Sequence, residues 1–381
     1  MNCSTCHAAI TTSLFTVEAT PCHSVRLLDD ETTARTFPRG RVTLAHCARC
    51  GHVENPAFEE DAVRYDGRYE GSQLASPHFR RFATDLADRL GNRFDLSGRR
   101  VVEIGCGQGD FLELLVARTG CTAIGIDPAV RNPLRTSRLE LIAGHFEEHE
   151  DRLAGADLVI CRHTLEHIPQ PRRFLERLRG ALGDAPTPVF FDVPDRGRIF
   201  AEGAFWDVYY EHCCYFDEIA LTNVFAAAGF ARCESALSFH DQSLEFIAVP
   251  ADPAAASPVV PSTPPAIAAP LFEATRAAWQ DRLSGLGPRS LVLWGAGSKA
   301  VAFLASMTDH ASVRCAVDIN PRKQGSFLPG SGVAVLGPEA LEAAPPEHVL
   351  IMNPAYRNEI ERNLRDLGVT EATIWTVDDG A

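Results

Sequence analysis

The stretch "RRVVEIGCGQGDFLELLVA" at 99–117 limits the fold of this chain more than any other. An apolar run of strand length meets a turn carrying Gly105, Gly107 and Gly109, and an amphipathic helix follows. Glycines at that spacing let the backbone approach a ligand closely and leave the helix N-terminus free to face it. A second strand, "CTAIGIDPAV", ends in Asp127, about where an acid that binds ribose hydroxyls is expected. Three further strands are read in "LELIAGHFEE", "GADLVICRHTLEHIPQP" and "PTPVFFDVPD". Strands alternating with helices predict a doubly wound parallel sheet with its ligand at the carboxyl ends of the strands.

At 381 residues the chain has room for two or three domains. Ahead of the sheet stand two knuckles, Cys3-Ser-Thr-Cys6 and Cys47-Ala-Arg-Cys50. Four thiolates suit tetrahedral Zn²⁺ and leave no open position, so the expected metal is structural; His7, His46 and His52 lie close enough to be substitute ligands. Of the eight other cysteines, Cys106, Cys121, Cys161, Cys213, Cys214, Cys233 and Cys315 are read as small buried hydrophobes. A Pro/Ala-rich stretch from Pro250 to Pro270 reads as a linker. Beyond it "SLVLWGAGSKAVAFL" repeats the strand, glycine turn and helix, with Asp318 ending the next strand. This second turn is expected to be scaffold rather than a second cofactor site. The predicted segments are 1–70 zinc-binding, 71–250 catalytic, 251–270 linker and 271–381 a second Rossmann-like α/β unit.

A net charge of −14 argues against a nucleic-acid binder, which needs concentrated Lys and Arg. No run approaches the roughly 18 apolar residues of a membrane helix, and the N-terminus has no signal-peptide pattern. The expected setting is a reducing cytoplasm, and the expected partner a small molecule.

Within "FWDVYYEHCCYF", at 205–216, Tyr209, Tyr210, Glu211 and His212 put two phenols, an acid and an imidazole together in core-type sequence. Together with Glu103–Gly109, Asp127 and the "LEHIPQP" loop, the ordered segments resemble the sugar C-methyltransferases of antibiotic deoxysugar pathways. That family joins a class I S-adenosylmethionine-dependent methyltransferase core to an N-terminal zinc unit and a C-terminal α/β domain. The resemblance implies methylation of a carbon next to a ketone in a nucleotide-linked sugar, with S-adenosylmethionine as methyl donor. It places the Tyr209–His212 tetrad where the family carries Tyr-His-Glu-His, with Tyr210 replacing the middle histidine. A second departure is "FHDQSLEF" near His240, where a glycine-rich segment is expected.

Removing a proton α to a carbonyl needs a base and a donor to the enolate oxygen. His212 is the candidate base, with Glu211 to orient it or to meet substrate hydroxyls. Tyr209 and Tyr69 are the candidate donors, and His167 is the alternative base. Glu103, Gly105, Gly107, Gly109, Asp127, Phe146 and Glu147 are the candidate cofactor residues. An O- or N-methyltransferase, or a non-catalytic binding platform, would use the same scaffold.

Overall fold

The computed structural model describes residues 2–10, 12–251 and 268–380. Strands β1 (Thr12–Pro21), β2 (Arg39–His46) and β3 (Val53–Glu54) open the chain. Next come β4 (Arg100–Ile104), β5 (Thr122–Ile126), β6 (Leu134–Arg135), β7 (Leu139–Ile142), β8 (Leu158–Arg162) and β9 (Val189–Pro194). After β10 (Cys214–Tyr215), strands β11 (Phe230–Ser238) and β12 (Ser243–Pro250) form a hairpin. Strands β13 (Leu291–Trp294), β14 (Val313–Val317), β15 (Val335–Leu336), β16 (His348–Ile351) and β17 (Thr373–Thr376) close the chain.

They assemble three sheets: β1-β2-β3-β10, β11-β12-β9-β8-β4-β5-β7-β6, and β15-β14-β13-β16-β17. In the second sheet β4 pairs in parallel with both β5 and β8, so the strand order reverses there and a crevice opens at their carboxyl ends. Every strand of the third sheet is parallel to its neighbours. The five strands read from the sequence in the central segment are all present, and the mixed α/β, Rossmann-like class is correct. The β11–β12 hairpin, which adds an antiparallel edge to the central sheet, was not foreseen.

Local sequence accounts for these elements. Apart from half-buried Arg100, "RVVEI" of β4 is buried throughout, as expected of a parallel strand covered on both faces. The helix Pro77–Phe94 starts where Ser76 Oγ accepts from Phe79 N at 3.2 Å and Pro77 occupies the first turn. At Gly105, φ is +75°, and a Cβ there would stand 1.9 Å from Thr164 Oγ1, so the turn requires glycine.

The first seventy residues share a core with the segment that follows residue 268. Phe15, Val42 and Leu44 pack with Phe272, Trp279, Leu293 and Phe303, and the Phe15 and Phe272 rings stack at 4.7 Å. This brings the loop after β1 against the middle of the chain. The expected linker lies almost wholly outside the described residues, and the chain resumes with the helix Ala268–Ser284. Cys233 corrects one expectation: it is exposed on the edge strand β11, whereas Cys106, Cys121, Cys161, Cys213, Cys214 and Cys315 are buried.

Candidate active site

A cavity of about 1370 Å³ lies at the carboxyl ends of β4, β5 and β8. Glu103, Gly105, Gly107, Asp127, Phe146 and Glu147 line it. Asp127 Oδ2 accepts from Gly107 N at 2.8 Å and Oδ1 from Ala129 N at 2.6 Å. Burial raises the Asp127 carboxyl, and those two N–H groups offset part of the effect. Glu103 is 2% exposed, and its Oε2 has no hydrogen-bond partner within the described residues. Burial pushes its carboxyl up to about 7, against the pull of Arg162. Gly109 does not reach the cavity wall; it precedes the helix Asp110–Thr119 and packs against Leu141. Phe146 is buried and meets Phe174 edge-on at 5.5 Å.

A second cavity, of about 340 Å³, lies between the central and C-terminal sheets. Tyr209 and His212 line it, together with Lys299, Lys323, Asn320 and Asn353. Phe79, Phe82, Phe239 and Tyr356 add an aromatic wall, with Phe239 4.9 Å from Phe82 and 5.7 Å from Tyr356. Phe239 comes from "FHDQSLEF", at the tip of the β11–β12 hairpin, where Phe239, His240 and Asp241 all have positive φ. The two cavities meet at Tyr69, His163 and His167, and also share Gly71, Ser72, Gln73 and Phe79.

The tetrad is divided among different tasks. His212 is buried, with its ring 4.0 Å from that of Tyr209 and 4.8 Å from that of His167. Burial, then His167, His163 and Lys299, hold His212 well below the usual histidine range, so it is neutral and has a free lone pair. Burial raises the phenols of Tyr209 and Tyr69 well above their usual range, which keeps both as hydrogen-bond donors. Tyr210 is core: its ring lies on Gly40, and its hydroxyl accepts from Glu59 N at 2.8 Å.

Glu211 departs from expectation. Its carboxylate does not meet His212 and lines neither cavity. Instead His23 Nδ1 donates to Oε1 at 2.9 Å, and the N–H and hydroxyl of Ser24 bind Oε2. Arg64 N donates to His23 Nε2 at 2.7 Å, which fixes the proton on Nδ1. Burial opposes ionisation of Glu211, but His23 overcomes it and holds the carboxyl below its usual range.

Several residues escaped sequence reasoning. Tyr65 Oη lies 2.8 Å from His167 Nδ1; it stands in the same "YDGRYEGS" as Tyr69, and nothing local separates the two. Glu166 is 2% exposed beside His167, with neither oxygen hydrogen-bonded within the described residues. Ser298 Oγ lies 2.7 Å from Ser24 Oγ, and Lys299 pairs with Asp207, which also binds Arg198 at 2.6 Å. Burial works against ionisation at Asp207, yet Lys299 and Arg198 together hold its carboxyl below the usual range.

The four cysteines of the knuckles converge. Cys3 Sγ lies 3.6 Å from Cys50 Sγ and Cys6 Sγ 3.5 Å from Cys47 Sγ, with all four sulfurs within 4.8 Å of one another. Thiolates at 2.3 Å around a tetrahedral Zn²⁺ stand about 3.8 Å apart, so this donor set fits the ion. His7, His46 and His52 are not in the cluster. No helix among the described residues is long and apolar enough to cross a membrane.

Residues 76–235 match the model of a methyltransferase domain, and residues 286–375 that of a C-methyltransferase C-terminal domain. The chain is 28% identical over 370 residues to C-methyltransferase NovU of Streptomyces niveus, covering 89% of this chain and 86% of that one. A ubiquinone biosynthesis O-methyltransferase of Escherichia coli is 35% identical over 158 residues, which are 38% of this chain and 62% of that enzyme. Among solved structures, N,N-8-amino-8-demethyl-D-riboflavin dimethyltransferase of Streptomyces davawensis is 24% identical. That alignment covers 46% of this chain and 60% of the other, with a TM-score of 0.36. The free carboxylate oxygen of Glu103 and the open glycine turn beside Asp127 give a cationic nucleoside a place to bind. With both of its domain models matched in order, the chain belongs to the S-adenosylmethionine-dependent C-methyltransferases.

Proposed function

We propose that the enzyme methylates a carbon α to a ketone in a nucleotide-linked deoxysugar, by way of an enolate. The observation that carries this reading is the junction of the two cavities at Tyr69, His163 and His167, with Tyr209 and His212 on the wall of the smaller one. When bound, S-adenosylmethionine supplies an already activated methyl group. The protein must therefore supply a base, a donor to the enolate oxygen, and alignment.

In this reading the Gly105–Gly109 turn faces the methionine end of the cofactor and Glu103 its positive charge. Asp127 takes the ribose hydroxyls, and Phe146 and Glu147 flank the adenine. Neutral His212 accepts the α proton, while Tyr209 and Tyr69 donate to the oxygen where charge develops. His167, held by Tyr65, is the alternative base. A nucleotide handle is supported by the second cavity, where Lys299, Lys323 and Asn320 offer donors and Phe79, Phe82, Phe239 and Tyr356 offer aromatic faces. Cys3, Cys6, Cys47 and Cys50 hold one structural zinc, which suits a reducing cytoplasm.

Incubation with labelled methyl donor and a panel of nucleotide 4-keto sugars tests the reading. The label is expected on carbon, and the α proton is expected to exchange with deuterated solvent only while His212 is present. Label on oxygen or nitrogen would replace the proposal with the corresponding methyltransferase. Exchange that survives His212→Asn but vanishes in His167→Asn would move the base. Elemental analysis of protein purified without chelator should find one zinc per chain; none would remove the zinc assignment.

A further inference from the structure

We infer that Glu166 is the charge partner of His212, a positioning residue that orients the imidazole and sustains it while it carries the substrate's proton. This rests on reading His212 as the base. Glu166 lines the smaller cavity, is 2% exposed, and has both carboxylate oxygens without a hydrogen bond within the described residues. Its Oε1 lies 4.0 Å from His212 Nε2 and 3.7 Å from His163 Nδ1. Burial would lower His163, but Asp192 and then Glu166 hold it above the usual histidine range, so this carboxylate already stands beside one imidazole and His212 is the second it can serve.

The surroundings of His212 show what that use is. Its ring is flanked by Tyr209 at 4.0 Å, His167 at 4.8 Å and Tyr215 at 6.1 Å, and both phenols keep their protons through burial. His167, His163 and Lys299 each disfavour a positive charge on it. The α proton passes from the substrate carbon to His212, and the C–H electron pair stays on the substrate as the enolate. Without an anion nearby, that step would leave a buried imidazolium facing three basic groups. Glu211 cannot supply the anion, because its carboxylate is bound by His23 and Ser24. Glu166 can: its carboxylate favours the Nε2–H tautomer and leaves the Nδ1 lone pair to take the proton. At 4.0 Å the contact is a charge interaction rather than a hydrogen bond, and in a buried, low-dielectric site it acts strongly at that range.

The test reads the imidazole itself. In wild-type protein labelled with ¹⁵N-histidine, the neutral-pH spectrum should show His212 protonated at Nε2; protonation at Nδ1 overturns the pairing without any variant. In Glu166→Gln the His212 titration should move to lower pH, and turnover should fall on the order of ten- to a hundredfold, less than loss of the base itself costs. Glu166→Asp should recover part of that loss, with methyl-donor binding unchanged in both variants. An unmoved titration with wild-type turnover would sink the idea. So would a second metal equivalent, beyond the cysteine site, that disappears in Glu166→Gln, because an ion would then be the anion's partner. If the tautomer and the titration shift are found but no keto sugar is methylated, the pairing stands and the substrate reading falls.

Discussion

In the central sheet Asp127 accepts backbone N–H groups from Gly107 and Ala129; in the C-terminal sheet Asp318 accepts them from Ala296 and Asn320 at 2.9 and 2.8 Å. The chain thus uses one device twice, an acid after the second strand locking a glycine turn after the first. What surrounds the acid differs. Asp127 borders a cavity of about 1370 Å³ and has no Lys or Arg ion pair within the described residues. Asp318 is paired with Lys323 at 3.2 Å and borders a cavity of about 340 Å³, much of whose wall belongs to the central segment. A glycine turn and an acid make a scaffold. Space, and an acid with no cation paired to it, are what the proposed cofactor site adds.

The largest effect expected lies where the two halves face each other. His212→Asn should lower turnover by roughly 10²–10⁴, the contribution of a positioned base, while S-adenosylmethionine binding by calorimetry stays near wild type. Binding lost along with turnover would mean that the two cavities are not separable in function, and the contrast between them would fail.

Glu103 offers the next test, because it marks the central turn as a site under tension. Its folded carboxyl is raised to about 7, above its unfolded value near 4.5. Wild type is therefore free of this penalty below pH ~4.5, accumulates it as pH rises towards 7, and carries it fully above. The cost is on the order of 3 kcal/mol. Urea unfolding of protein without cofactor should show Glu103→Gln gaining on wild type between pH 5 and 8. Parallel stability curves would remove the argument that this acid waits for a cation.

Asp127→Ala should weaken S-adenosylmethionine binding tenfold or more, the roughly 1.5–3 kcal/mol lost with a charged partner of hydroxyls. Unchanged affinity would require another ribose acid, and the first turn would then differ from the second only in volume.

How far these contrasts could be read from sequence depends on where the partners sit. The Gly105–Gly109 turn, Asp127 and the alternation of strands with helices are local patterns, and the central sheet follows them. Tyr209 and His212, which line the smaller cavity, stand out in the sequence because the tetrad is compact. The role first expected for Glu211 was wrong for a non-local reason: His23 and Ser24, almost 190 residues earlier, claim its carboxylate because the N-terminal sheet packs on the C-terminal domain. The same packing puts Ser298 against Ser24. Nothing in the periodicity of either segment encodes that meeting. Glu166 was in plain view beside His167, but a glutamate in a polar loop is ordinarily solvated, and only its burial sets it apart.

The smallest effect is expected at the second turn, and it is the sharpest check on the comparison. Asp318→Asn preserves shape and leaves an oxygen able to accept from Ala296 N, so the turn should hold. What changes is Lys323, which loses its carboxylate while remaining only 12% exposed. Stability should fall by about 1–2 kcal/mol. S-adenosylmethionine affinity should stay within about twofold of wild type if, as proposed, the acid that serves the cofactor is Asp127. The freed lysine faces the smaller cavity, so KM for a nucleotide-linked substrate should move while kcat does not. A loss of methyl-donor affinity comparable to that of Asp127→Ala would show that the second turn binds the cofactor too. The pairing of Asp318 with Lys323 would then be a resting state that the ligand displaces.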